Sequence, residues 1–295
     1  MNPPLLPSVL VALLAASLVV EHLGHSSTSL QGVPARTVSL HRPLALPRLE
    51  PQSLADEVNV ALLQLEPPLS GWPAAPEQLL PVEIEALGSM AVGKPNRGAL
   101  FNAVQLPTGA GYEITDRDRA WGTTESVATL AAVLAQLHGQ DLTAPKLYIG
   151  QMSAEHGGFL KRHKSHQSGC DVDVGLYYRD GEHWYATATE QNLDVARTWN
   201  LVNALVDTGR IEYIFADRSI LHWLEQQADR VGTDPERRRA LFYDPVTAQD
   251  GVLRHAWGHR THLHVRFKSV LAEQRGRQLA QRMISLRMIP PRKYY

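Results

Sequence analysis

From about residue 84 onward, apolar and polar positions recur with regular periods. Residues 124–138 place Val127, Leu130, Ala131 and Leu134 on one face of a helix, with Gly139 positioned to stop it. Residues 146–152 read as a short apolar strand. Residues 171–178 alternate with the period of a strand: Asp171, Asp173, Gly175 and Tyr177 share one face, and Val172, Val174, Leu176 and Tyr178 the other. Residues 187–206 predict a helix opened by a capping box of Thr187 and Glu190. Residues 211–216 are strand-like, and Asp217 is a good N-cap for a helix over 220–230. Residues 261–268 alternate again, and a basic helix is expected from Val270 to about Arg287. There is no internal repeat. The mixture predicts an α+β domain, with helices flanking a central antiparallel sheet.

Upstream the pattern is different. Residues 5–20 are almost wholly apolar, broken by Pro7 and two serines, and no Lys or Arg precedes them. The run suits a signal-peptide core better than a full membrane span of about 20 apolar residues. Residues 1–25 are therefore expected to be a signal peptide or an N-terminal membrane anchor. Residues 26–83 carry nine prolines between Pro34 and Pro81, which interrupt regular structure, apart from one short helix expected around 54–65. They read as a Pro-rich spacer, leaving 84–295 as the folded, chemistry-bearing domain.

Composition narrows the function classes. The formal net charge of -1 gives no global attraction to nucleic acid or to an anionic membrane. Cys170 is the single cysteine, so an intramolecular disulfide and a Cys-rich structural zinc site are both excluded. Beside the strand of Asp171 and Asp173 it reads as a small buried hydrophobe, not a nucleophile. No Gly-x-Ser-x-Gly elbow, Walker loop or His-Glu-x-x-His helix is present.

The 13 histidines are not evenly spread. His156, His163 and His166 crowd the approach to the Asp171–Asp173 strand, and Gly169 can bend the chain back so that His166 meets that strand's carboxylate face. His255, His259, His262 and His264 crowd a second segment, in which His262, His264 and Arg266 share one strand face. If the two strands are neighbours in one sheet, imidazoles and carboxylates meet on the same side. Two His and one Asp suit Zn²⁺, and three protein ligands leave a fourth position open for catalysis. Strand parity alone leaves open which aspartate and which histidines are the ligands. Trp121, Tyr177 and Trp184 are packing residues first and candidates to line a substrate groove second.

The two segments, Ser165-His166-Gln167-x-Gly169-x-Asp171-Val172-Asp173 and Gly258-His259-x-x-His262-x-His264-Val265-Arg266, resemble the penicillin-insensitive murein endopeptidases. These belong to the zinc peptidase superfamily of lysostaphin, D-Ala-D-Ala peptidases and hedgehog domains. Weaker likeness runs from Leu87-Gly88-Ser89 through Gly157-Gly158 and Ile214-Phe215 to Phe267. The resemblance implies zinc held by His166, Asp173 and His264, with His262 as catalytic base or transition-state stabiliser. It also makes His163 and His259 further active-site residues. It implies hydrolysis of D-alanyl–meso-diaminopimelate cross-links between peptidoglycan stem peptides, insensitive to β-lactams, in the periplasm or outside the cell. The chain departs from the best-known members in having one cysteine where they have several, and in its long Pro-rich N-terminal region. Competing readings are a D,D- or L,D-carboxypeptidase of the same superfamily, a non-catalytic zinc-containing module that binds cell wall, and a structural domain with a fortuitous histidine cluster.

Overall fold

A computed structural model describes residues 87–244 and 246–286. The expected signal or anchor segment, the Pro-rich spacer and its short helix lie outside those residues. The elements are β1 (Met90–Lys94), β2 (Arg97–Phe101), β3 (Val104–Gln105), β4 (Tyr112–Ile114), β5 (Trp121–Gly122), α1 (Thr124–Gln140), β6 (Leu147–Ile149), β7 (Asp171–Val174), α2 (Val195–Asp207), β8 (Ile211–Ala216), α3 (Arg218–Arg230), α4 (Pro235–Leu241), β9 (Leu253–His255), β10 (Leu263–Phe267) and α5 (Val270–Ser285).

Six strands form one sheet in the order β4-β6-β7-β10-β8-β9. The expected antiparallel sheet is corrected to a mixed one. β7 and β10 pair antiparallel with each other, β6 with β7, and β8 with β10, but β4–β6 and β8–β9 are parallel. The reason is connectivity. α1 lies between β4 and β6 in the chain, and α3 and α4 lie between β8 and β9. Crossovers of that length return a strand parallel to its neighbour, where a hairpin cannot.

One face of the sheet is apolar. Val172, Val174, Leu263, Val265, Phe267, Ile214 and Leu253 are all buried in a single core cluster with Leu130, Val133, Leu201, Leu205, Ile220 and Leu224 of the helices. The other face carries the charged residues. A separate β1–β2 hairpin packs on α5, closely enough that a side chain at Gly276 would collide with the Ala91 carbonyl.

The helix ends show where local signals compete. α2 begins at Val195, not at residue 187, because Asp194 is its N-cap and accepts a hydrogen bond from the Arg197 backbone N–H. Thr187 and Glu190 form no capping box. Thr189 and Asn192 instead bond each other's backbone N–H groups in a turn that precedes the helix. Gly139 does not end α1, which runs to Gln140 with Asp141 as C-cap. Asp217 caps α3, as its type predicts. β7 stops at Val174, and Tyr177 beyond it turns into the core, which removes it as a groove residue.

Candidate metal centre

β7 and β10 lie side by side with His264 opposite Asp173 and Arg266 opposite Asp171. Alternation therefore brings two carboxylates, an imidazole and a guanidinium onto the face away from the core. His166 reaches the same place from the preceding loop. Its backbone is in the left-handed region (φ 67°), an unusual conformation for a non-glycine residue, and its backbone N–H donates to Asp171 Oδ2 at 3.1 Å. Gly169, also left-handed, completes the bend. A side chain there would press on the Leu100 side chain and the Thr123 backbone.

The donor atoms converge tightly. His166 Nε2 is 3.1 Å from His264 Nδ1, and Asp173 Oδ1 is 3.3 Å from each. Donors about 2.0–2.2 Å from a common tetrahedral centre stand about 3.3–3.6 Å apart. His163, His166 and Asp173 also offer one donor atom each, all within 4.8 Å of one another. His163 Nδ1 is 3.6 Å from Asp173 Oδ2, and His262 Nε2 is 3.6 Å from Asp173 Oδ1.

The hydrogen bonds around these atoms set the tautomers. The Met152 carbonyl can only accept, so His166 Nδ1–H donates to it, at 2.7 Å. Asp171 is ionised, so His264 Nε2–H donates to its Oδ1, at 3.1 Å. With those protons placed, the second ring nitrogens, His166 Nε2 and His264 Nδ1, are turned toward each other. Asp173 Oδ1 faces the same point, is buried and has no hydrogen-bond partner. Two ring nitrogens, each with the opposite ring nitrogen already engaged, and a buried carboxylate oxygen without a hydrogen-bond partner converge on one point, the arrangement of a metal ligand set. The donor set therefore fits a metal ion.

Charges follow from this geometry. Burial opposes the ionised form of Asp171, but contacts with His264 and the Arg266 guanidinium, whose Nε is at 2.8 Å, hold its pKa low. Asp173 is likewise held well below the usual carboxylate range by His166 and His264, against the effect of burial. Burial would lower the pKa of His264, yet Asp171 and Asp173 override it and push it up to about 9. The outer histidines go the other way. Burial lowers His262 to about 4, and it lowers His163 and His259 as well.

The six positions to which the resemblance gives roles thus meet at one site: His163, His166, Asp173, His259, His262 and His264. The ring of His259 is 5.0 Å from that of His262 and 5.7 Å from that of His264. Asp171, which strand parity left as an alternative to Asp173, ties His166, His264 and Arg266 together. Two further supports carried no sequence signal of their own. The ring of Tyr185, held left-handed (φ 63°), stacks on His262 at 5.2 Å and 22°. The Thr261 hydroxyl bonds His262 Nδ1 at 2.9 Å. Trp184 packs on Tyr185 and Tyr148, where Gly150 leaves room for its ring beside the Asp173 stem. Trp121 lies on β5, opposite Gln105 of β3. Cys170 is buried with Ala91 and Ala272, and burial pushes its thiol up to about 12, so it is inert as a nucleophile at neutral pH.

Comparison with known proteins agrees with this chemistry. The model of the family "penicillin-insensitive murein endopeptidase" matches residues 91–282. A penicillin-insensitive murein endopeptidase of Klebsiella pneumoniae is 27% identical over 218 residues, covering 71% of this chain and 77% of the relative. The protein of that name from Escherichia coli is 27% identical over 225 residues, covering 72% and 78%. One from Yersinia pestis is 28% identical over 189 residues, covering 60% and 66%. With the family match spanning most of the described fold and both histidine segments inside it, the chain belongs to the penicillin-insensitive murein endopeptidases, a family of metallopeptidases.

Proposed function

We propose that this murein endopeptidase is zinc-dependent, with the ion held by His166 Nε2, Asp173 Oδ1 and His264 Nδ1, and that it splits D-alanyl–meso-diaminopimelate cross-links. The observation that carries the reading is the cluster of two imidazole nitrogens and a buried carboxylate oxygen without a hydrogen-bond partner, spaced 3.1–3.3 Å apart. Imidazole and carboxylate donors in a three-residue set match catalytic zinc. When bound there, zinc supplies Lewis-acid polarisation of a carbonyl and activation of water near neutral pH.

The chain's own residues supply the rest. Asp171 fixes His264 and Arg266 in place, and the Met152 carbonyl fixes His166, so the donors are oriented before substrate arrives. His262, His259 and His163 stay neutral at neutral pH because burial disfavours their charged forms. A neutral imidazole can take or give a proton, which suits His262 as base or transition-state stabiliser. His163 and His259, on either side, can hydrogen-bond substrate or the developing oxyanion. No serine takes part, which accounts for insensitivity to β-lactams. The place of action is the cell-wall compartment, outside the cytoplasmic membrane. Among the described residues no helix is long and apolar enough to cross a membrane.

Digestion of purified sacculi, with and without a chelator, tests the reading. Mass analysis should show cross-linked muropeptides converted to monomers, stopped by chelator and restored by Zn²⁺. Release of terminal D-alanine alone, or hydrolysis indifferent to the chelator, would overturn it.

A further inference from the structure

The face of the sheet that carries the metal donors continues past them toward the β9 edge. Register places Phe215 of β8 beside His264, and Arg254 of β9 beside Phe215. The contacts form an unbroken series. The Phe215 ring is 5.6 Å from that of His264, the Tyr213 ring is 5.8 Å from that of Phe215, and the Arg254 guanidinium lies 3.8 Å over Tyr213. Each of Tyr213, Phe215 and Arg254 is only half-buried, so the strip is open to a ligand.

Arg254 differs from Arg266 on the same face. Arg266 is committed to Asp171 through two hydrogen bonds. Arg254 is held in position by Tyr213 and by a bond from Nε to the Gly251 carbonyl at 3.2 Å. Among the described residues its ion-pair partner is the exposed Asp250 carboxylate, 3.9 Å from Nη1 and beyond hydrogen-bonding distance. The guanidinium is thus pre-oriented and stacked, with its terminal nitrogens short of a close acceptor. A planar fork in that state matches a carboxylate. Strands are spaced about 4.8 Å apart, so Arg254 lies about 10 Å from His264, a span of about three extended residues.

We propose that the Phe215–Tyr213–Arg254 strip is a carboxylate-binding subsite, in which Arg254 grips a free carboxylate of the peptide whose scissile bond lies over His264. The inference rests on the peptidase reading above and adds what the enzyme requires of its substrate. A stem peptide bears free carboxylates, and one at the right distance from the cut bond would be anchored while the aromatic floor supports the intervening chain.

The test uses a synthetic stem tetrapeptide ending in D-alanine, with its carboxylates free or capped as amides, and the full chain as wild type, Arg254→Gln and Arg254→Lys. Equilibrium binding is measured first, because it does not depend on turnover. Wild type should bind the free-carboxylate peptide about tenfold more tightly than the amide. Arg254→Gln should erase that difference, and Arg254→Lys, which keeps the charge but loses the fork, should retain part of it. Hydrolysis of a cross-linked peptide pair should show the same preference in KM, with kcat changed less than about twofold. Equal affinity of wild type for the two peptides, no binding of either, or an equal loss on both in Arg254→Gln would overturn the proposal. Failure of the peptidase reading shows separately, as carboxylate-selective binding without hydrolysis.

Discussion

The site holds two sets of groups a few ångströms apart, and they are built on opposite terms. The inner set, His166, Asp173 and His264, is tied to its surroundings. A carbonyl fixes one imidazole, Asp171 fixes the other, and the carboxylate faces both. The outer set, His163, His259 and His262, is held by lighter contacts: a ring against Tyr185, a hydroxyl from Thr261, and the Trp257 carbonyl, 3.0 Å from His259 Nδ1. Charge follows the same division. His262 and His264 are two residues apart on one strand, yet burial lowers the first to about 4 while two carboxylates raise the second to about 9. Fixed nitrogen and carboxylate donors turned to one point suit a cation. Neutral groups with freedom to exchange a proton suit the reaction beside it.

The sharpest way to break this division is to exchange the fates of His264 and His163. Each can be drawn into a three-residue set with His166 and Asp173. If the inner set is as described, His264→Ala should abolish zinc uptake, measured by elemental analysis of purified protein, and lower murein hydrolysis by about 10³-fold or more. His163→Ala should keep about one zinc per chain and lose about 10²-fold in rate. The reverse pattern, with zinc lost from His163→Ala and kept by His264→Ala, would make His163 a ligand and dissolve the comparison.

The second consequence concerns acid stability of the metal-free protein. The unfolded pKa of a histidine is about 6.5. His262 is lowered to about 4 in the fold, so between those values the unfolded chain binds a proton that the folded chain refuses. Stability must fall as pH drops through that window, by up to about 3 kcal/mol from this group. His264 has the opposite sign. Raised to about 9, it contributes stability that is fully present below about pH 6.5 and lost as pH rises through about 9. Urea unfolding of wild type and His262→Gln across pH 4–7 should show curves that converge on the acid side. Parallel curves would mean that His262 is not held neutral by burial.

Much of this division was legible from residue types and alternation. The two strands announced their polar faces, and pairing of β7 with β10 made those faces one surface. What could not be read was whatever depends on backbone atoms or distant loops. The Met152 carbonyl carries no side-chain signature, yet it sets the tautomer of His166. Tyr185 reaches His262 only because its backbone turns left-handed in an irregular loop. α2 starts at Val195 and not at residue 187 because Thr189 and Asn192 satisfy each other locally, a choice that capping patterns do not distinguish. The parallel pairs at the sheet edges depend on how the helices cross over, which periodicity does not encode.

Asp171 belongs to neither set and shows what separates them. Parity made it the equal of Asp173, since both point to the same face of β7. Position makes them different. Asp173 faces the His166 and His264 ring nitrogens, whereas Asp171 is fully engaged by His264, Arg266 and the His166 backbone. An amide in its place keeps the shape and can still accept, but it removes the charge that sets the His264 tautomer and presents an N–H where an acceptor is needed. Asp171→Asn should therefore leave the fold and all three proposed ligands present while weakening zinc binding about 10–100-fold, the usual cost of losing such an outer partner. A competition titration against a chelator of known affinity measures this directly. An unchanged affinity would show that β7 and β10 orient His264 without Asp171, and that the inner set owes its rigidity to the strands alone.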